Sequence, residues 1–513
     1  MFRRRDRFLC FALIFLGFAH FASAQTGEIR ILYLNDFHGF AEPYRPLGSK
    51  EFLGGLAILA AKTNQLREER PSLLLAAGDM IQGDNWANLF QGESVIKAMN
   101  RMRFDAMVVG NHEFDFGQEV LRRRISEASF PVLGANVGGV EGLQSHTIKL
   151  LGGIKVGIIG AVTEDTPVST SPKNVADLVF LSPFSVVEKI VGELKGRVDL
   201  ILVLSHIGFY LDRKMAEEVK GIDVIVGGHS HTKVAKPVRI GDTLIVQAWE
   251  HGKALGVLDL TVRDGKIVKW DGHLVEIGPG SEGGDPEVEA LVKKFGRKVD
   301  SAMDIRIGET EVDLDGENVR RAETNLGNLV TDILREVSGS DAAIINGGGI
   351  RASLNRGEIK IRDIYSILPF DNYVVSIRLT GNQIREALEH ALSGIEEEAG
   401  RFPQVSGLAF TYSRSAPAGS RIKTILIRGK PIDPDGEYRV ATNDFMAAGG
   451  DGYRAFGEAI RRSKDFEVVG GMMKGERLAY SDSGRWIRDV VIDAIRGRER
   501  IAPRVEGRIV EVN

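Results

Sequence analysis

Cysteine is all but missing. The 513 residues contain one, Cys10, and it lies within the first 24. A chain exported without thiols has no disulfide framework, no thiolate metal ligand and no cysteine nucleophile. Charge of one sign is also scarce. The formal net charge is −4 and becomes −7 once residues 1–24, which hold four Arg and one Asp, are set aside. That mild acidity argues against a partner that is polymeric nucleic acid or an acidic membrane surface. No apolar run beyond the N-terminus reaches the ~20 residues that span a bilayer, and no hydrophobic tail follows residue 500. Internal repeats and low-complexity tracts are absent.

What is present starts with a targeting segment. Arg3, Arg4, Arg5 and Arg7 form a basic head, Phe8 to Phe21 is apolar, and Ala22-Ser23-Ala24 is an A-x-A cleavage site. This is the pattern of a secretory signal peptide over residues 1–24, so the mature chain is expected outside the cytoplasm, periplasmic or extracellular. The remaining length predicts at least two domains.

From residue 28 to 275, β-branched runs (EIRILYL, PSLLLAA, FDAMVV, KVGIIGAV, VDLILVLS, IDVIVGG) alternate with helical stretches such as 55–70. Continuous apolar strands belong to sheets buried on both faces, so residues 25–280 read as a layered α/β domain. Residues 275–286 are rich in Gly and Pro, and a charged helical stretch follows. This predicts a linker helix over 281–305. Residues 306–513 read as a separate α/β domain with strands near 342–346, 373–379, 407–413, 422–428 and 437–442.

Five N-terminal strands end in polar clusters. ILYLNDFHG carries Asp36 and His38, LLLAAGDM carries Asp79, and AMVVGNHEFD carries Asn111, His112 and Asp115. LILVLSHIG ends in His206, and DVIVGGHSHT in His229 and His231. Ligands of open α/β sheets collect at strand carboxyl ends, so these distant clusters are expected to meet in one crevice. A lone histidine is ordinarily a satisfied or solvated side chain. Here five of the ten histidines directly follow strands, and that conjunction points to a site. Imidazole with carboxylate and no sulfur suits Zn, Mn, Co or a similar ion. The ligands are too many for one open ion, and Asp79, alone on its loop, is the natural bridge. Two ions a few Å apart can activate water and neutralise a phosphoryl group. His146, His251, His273 and His390 lack the strand-end context, and Glu113 reads as a solvated carboxylate.

The ordered set D-x-H, GD, GNHExD, H and GHxH resembles the calcineurin-like metallophosphoesterases. That resemblance implies two divalent ions, one held by Asp36, His38, Asp79 and His231, the other by Asp79, Asn111, His206 and His229. It implies that His112 stabilises developing charge or acts as general acid, oriented by Asp115. In the second domain RRAETNLGNLVTD, NGGGIR, SILPFDN and NDFMAAGGDG resemble the C-terminal domain of the 5'-nucleotidase family, which includes periplasmic UDP-sugar hydrolase/5'-nucleotidases. This implies a nucleotide substrate whose base lies between Phe370 and Phe445. Arg351 and Arg320 would contact phosphate or ribose, Asn346 the base and Asp451 the ribose. Arg321 beside Arg320 leaves that register open. Well-known members carry Gln or Asn where this chain has His231. The family also moves its second domain against the first, which together with composition makes the 287–304 helix the expected hinge region and Gly296 its weak point. The expected activity is phosphate release from nucleoside 5'-monophosphates. Alternatives are hydrolysis of UDP-sugars or 2',3'-cyclic nucleotides, thiosulfohydrolase action on the same scaffold, or nucleotide binding without turnover. Base preference and oligomeric state are left open.

Overall fold

The computed structural model describes residues 26–278, 281, 283–469 and 472–512. The signal peptide expected over residues 1–24 lies outside the described residues. The six apolar runs of the N-terminal half become strands of two six-stranded sheets. The first orders Lys266–Glu276, Ala254–Arg263, Thr26–Leu34, Ser72–Ala76, Ala106–Val108 and Val132–Leu133; the second orders Val238–Ile240, Thr243–Val246, Val224–Gly227, Leu200–His206, Ile154–Val162 and His146–Leu151.

Strand periodicity explains why these runs are apolar throughout. Successive side chains point to opposite faces. In Thr26–Leu34, Ile29, Ile31 and Tyr33 enter a core shared with Ile158, Leu202, Leu204 and Val226 of the second sheet. Leu32 and Leu34 instead face a helix-covered core with Leu56, Leu59 and Met99. On the far side of the second sheet, Ile159, Val203 and Ile225 pack with Val187 and Met215 from helices. The result is two sheets face to face with helices outside, the central strands buried on both sides.

The central strands within each sheet pair in parallel, with Leu34 beside Ala76 and Ala76 beside Met107, and Val162 beside His206 and Ser205 beside Gly227. Their carboxyl ends therefore align at one edge, which fixes the position of the site.

Helix Pro286–Met303 is capped by Asp285, whose side chain accepts from the backbone N–H of Glu287 and Val288. Its charged composition suggested a solvated connection. In fact Val288, Val292 and Phe295 are buried in the N-terminal core, Phe295 lies 4.6 Å from Phe90 edge-on, and Trp86 Nε1 donates to Val292 O at 3.2 Å. Gly296 is buried within this helix, and a Cβ there would stand 2.7 Å from Glu42 Oε1.

The C-terminal half is built on a five-stranded sheet ordered Pro403–Ser406, Ala342–Asn346, Glu437–Asn443, Tyr373–Thr380 and Leu478–Trp486. Lys430–Pro431, Ile422–Ile427, Leu408–Tyr412 and Ile509–Glu511 form a second sheet. Helices Asn325–Ser338, Gly381–Leu392 and Ile487–Arg498 share one core with these sheets. The strands Pro403–Ser406 and Leu478–Trp486 were not anticipated.

The two halves touch directly. Asn85 Nδ2 donates to Arg362 O at 2.8 Å and Ser366 Oγ at 2.9 Å, and the Arg362 guanidinium pairs with Asp300 at 2.7 Å. Between the halves lies a cleft of about 2240 Å³. Among the described residues no helix is long and apolar enough to cross a membrane.

Candidate active site

The strand ends bring all nine N-terminal residues together. Asp36, His38 and His231 present ligand atoms within 4.8 Å of one another, and so do Asp79, His206 and His229. Asp79 lies between the groups, with Oδ2 3.1 Å from His206 Nε2 and 3.8 Å from His38 Nε2. Asn111 Oδ1 is 3.0 Å from His229 Nδ1, while its Nδ2 donates to Ser169 O at 3.1 Å, which turns the amide oxygen toward the site.

The backbone is strained to make this arrangement. Asp36, His38, Asp79, His229 and His231 all have φ between 48° and 75°, a region that L-residues other than glycine rarely occupy. Such strain persists only where the surroundings fix it and concentrates at functional sites. The glycine of the GNHE segment answers to close approach: a Cβ on Gly110 would sit 2.2 Å from Asp79 Oδ1.

The donors suit a cation. His38 Nδ1 faces Gln82 O at 2.8 Å, His206 Nδ1 faces Ala77 O at 2.7 Å and His231 Nδ1 faces Glu250 Oε2 at 2.5 Å. Each acceptor places the proton on Nδ1 and leaves the Nε2 lone pair directed at the site. His38 Nε2 then meets His231 Nε2 at 3.2 Å, and His231 Nε2 meets Asp36 Oδ1 at 3.4 Å. Such a set attracts positive charge. Burial drives the His38 and His231 imidazoles well below their usual range, with the Arg351 charge adding to the effect. Burial, reinforced by His206, pushes His229 down to about 3. Neutral imidazoles are the ligand form. Burial also disfavours a charged His206, but Asp79 opposite outweighs it and raises that imidazole to about 10, so this pair calls for a proton or cation between them.

His112 and Asp115 flank the clusters. Asp115 Oδ2 accepts from His112 Nδ1 at 2.7 Å, and its Oδ1 accepts from Thr170 Oγ1 at 2.5 Å. Burial opposes charge on His112, yet Asp115 and Asp79 prevail and raise its pKa. The backbone N–H of His112 donates to Asp79 Oδ1 at 3.0 Å, which ties the two loops.

Glu113 corrects the expectation of a solvated carboxylate. It is buried. Its Oε2 accepts from Gly110 N at 2.5 Å and Asp79 N at 2.9 Å, and its Oε1 from Met80 N at 2.7 Å and Ile81 N at 3.2 Å. This carboxylate satisfies the turn that presents Asp79. Glu113→Gln would turn an NH₂ toward two of these donors. At ~1–3 kcal/mol for each unsatisfied buried group, urea unfolding is expected to show a loss of about 2–6 kcal/mol; a loss under ~0.5 kcal/mol would contradict this role.

Other supporting residues carried no sequence signal. Asn35 Nδ2 donates to Asp36 Oδ2 at 2.6 Å and to Trp249 O at 2.5 Å. His251, set aside as an ordinary histidine, stacks on Phe40 at 3.9 Å, and its backbone N–H donates to Asp36 O at 2.8 Å. His390 Nε2 lies 2.7 Å from the carbonyl of Asp451.

The second domain closes the cleft. Arg320, Asn346, Arg351, Phe370, Phe445 and Asp451 all line it. Arg351 Nη2 reaches within 3.1 Å of His38 Nε2. Phe370 stacks on His112 at 5.5 Å. Asn346 Nδ2 donates to Asp451 Oδ2 at 2.7 Å, and its Oδ1 accepts from Asn443 Nδ2 at 3.0 Å. A Cβ on Gly450 would stand 2.4 Å from the Phe445 ring, so glycine there gives the ring its place. Arg321 turns away, bonding Asn318 Oδ1 at 2.7 Å through Nε and pairing with Glu398 at 3.3 Å.

Comparison with known proteins matches this architecture. Residues 29–233 match the family model for calcineurin-like phosphoesterase, and residues 306–458 match that for the 5'-nucleotidase C-terminal domain. The human 5'-nucleotidase (Homo sapiens) is 32% identical, over 97% of this chain and 93% of that protein. The chain belongs to the 5'-nucleotidase family. It is accordingly a metal-dependent phosphoric ester hydrolase. The 5'-nucleotidase precursor of Thermus thermophilus superposes with a TM-score of 0.85 at 33% identity, covering 95% of this chain and 99% of that one. The trifunctional nucleotide phosphoesterase protein YfkN of Bacillus subtilis (strain 168) is 32% identical over 94% of this chain, which spans 35% of that longer protein.

Proposed function

We propose that this chain is an exported 5'-nucleotidase that uses two divalent ions to release phosphate from nucleoside 5'-monophosphates. The observation that carries this reading is the reach of Arg351 from the second domain to within 3.1 Å of His38. A cationic group suited to phosphate thus stands over the Asp/His clusters, in the cleft that also holds Phe370 and Phe445.

Asp36, His38, Asp79 and His231 would hold one ion, and Asp79, Asn111, His206 and His229 the other. All-N/O donors suit Zn, Mn or Co. Bound as a pair, such ions lower the pKa of a coordinated water and neutralise phosphoryl charge during in-line displacement. The residues of the chain do the rest. Arg351 and Arg320 pair with the phosphate. Phe370 and Phe445 take the base between their rings, Phe370 leaving His112 as it enters. Asn346 faces the base and Asp451 the ribose. His112, held by Asp115, which favours its charged form, meets charge on the leaving oxygen or donates a proton to it. Export rests on the segment over residues 1–24.

One observation favours a second reading. The cleft, at about 2240 Å³, exceeds the ~300–1,000 Å³ of a small-ligand pocket, which leaves room for a larger nucleotide such as a UDP-sugar. Phosphate release by the metal-loaded chain from AMP, UDP-glucose and 2',3'-cyclic AMP, the last two with a phosphatase coupled, tests both readings. AMP is expected as the best substrate. No turnover of any nucleotide under any divalent ion would overturn the proposal.

Stacking on an aromatic ring is worth ~1–3 kcal/mol per base. Phe445→Ala is therefore expected to raise KM for AMP by ~5–150-fold while leaving turnover of 4-nitrophenyl phosphate, which lacks a base, within about twofold. Equal losses on both substrates would remove the base contact.

A further inference from the structure

His231 differs from the other imidazoles in its support. His38 and His206 each give the Nδ1 proton to a backbone carbonyl, but His231 gives it to a carboxylate, Glu250 Oε2, at 2.5 Å. Glu250 is itself fixed. Its Oε1 accepts from Lys253 Nζ at 2.6 Å, and that ammonium lies over the rings of Trp249, at 4.5 Å, and Tyr44, at 5.5 Å. The backbone on either side of Glu250 is tied to the Asp36 loop, through Asn35 Nδ2 to Trp249 O and His251 N to Asp36 O. Trp249 and His251 have φ of 69° and 54°, so the turn that presents Glu250 is strained as the ligand turns are.

We propose that Glu250 is a positioning residue, which with Lys253 fixes the Nδ1–H tautomer and ring direction of His231 and so strengthens cation binding at the Asp36–His38–His231 cluster. The inference rests on the reading that this cluster holds an ion. A carboxylate behind a ligating imidazole raises its basicity and holds its plane, and losing such a partner typically costs ~10–100-fold in affinity. His231, Glu250 and His251 also converge closely enough to suggest an ion of their own. The Lys253 ammonium, 2.6 Å from Glu250 Oε1, competes with that arrangement.

The test is a Co²⁺ titration of the chelator-stripped full chain, followed by calorimetry and by visible absorption of bound cobalt. Wild type is expected to bind two ions. Glu250→Ala is expected to bind two as well, with one Kd raised ~10–100-fold and the other unchanged. Glu250→Gln, which keeps the volume and an acceptor oxygen, should lose less, and it serves alone if the alanine variant does not fold. In a His231→Gln background, Glu250→Ala should change neither Kd by more than about twofold, because the histidine it acts through is gone. A purely structural role would give the same loss in both backgrounds and would overturn the inference. So would both Kd values staying within twofold of wild type, or a third ion that disappears with Glu250. Failure of wild type to bind any ion would remove the site reading itself, and this inference with it.

Discussion

Asp79→Asn is expected to lower kcat/KM for AMP by about 10³-fold or more without unfolding the chain. Its Oδ2 stands 3.1 Å from His206 Nε2 and 3.8 Å from His38 Nε2, so a single carboxylate oxygen faces both clusters. Only two of the seven proposed ligands, Asp36 and Asp79, are carboxylates, so the amide removes half of the negative charge that would offset two cations. Asn would keep an oxygen for the His112 backbone N–H, which Asp79 Oδ1 accepts at 3.0 Å. The loop geometry should therefore survive, and near-UV circular dichroism should be unchanged. Steady-state assays across added Mn²⁺, Zn²⁺ and Co²⁺ check the effect. Recovery to within tenfold of wild type at high metal would show that Asp79 is not the bridge.

His112→Ala is expected to cut kcat by ~10²–10⁴, the usual scale of an acid–base role, with KM for AMP changed only a few-fold. The imidazole is held at Nδ1 by Asp115 and leaves the opposite nitrogen toward the cleft. Its loss should therefore fall on the step in which charge develops rather than on binding. Asp115→Asn should move kcat in the same direction by less, because the ring remains while the charge that raises its pKa is gone. A rise in KM at constant kcat would instead make His112 a binding residue. Activity within twofold of wild type would remove its role altogether.

The clusters were legible because each strand and its polar cluster are adjacent in sequence: a buried parallel strand must end, and Asp36, Asn111, His206 and His229 stand where it ends. Parallel pairing then brings these ends together with no further information from side chains. The supports were not legible, because their partners are far along the chain or are backbone groups. Glu113 serves four backbone N–H groups, three of them more than thirty residues away, and nothing in its own neighbourhood but buried Phe114 hinted at burial. Glu250 meets its histidine across a turn whose left-handed residues, Trp249 and His251, carry no sequence mark of that conformation. The linker helix misled through its charged face, although Val288, Val292, Phe295 and Val299 recur at helical spacing, as a buried stripe does. The turn at Asn318 binds Arg321, while Arg320 lines the cleft.

The number of divalent ions held per chain after dialysis, counted by inductively coupled plasma mass spectrometry on full-length protein, bears most directly on this account. Two ions in wild type, falling to one or none in Asp79→Asn, is the predicted result. A wild-type chain that hydrolyses AMP with a single ion, or an Asp79→Asn chain that still carries two, would contradict it.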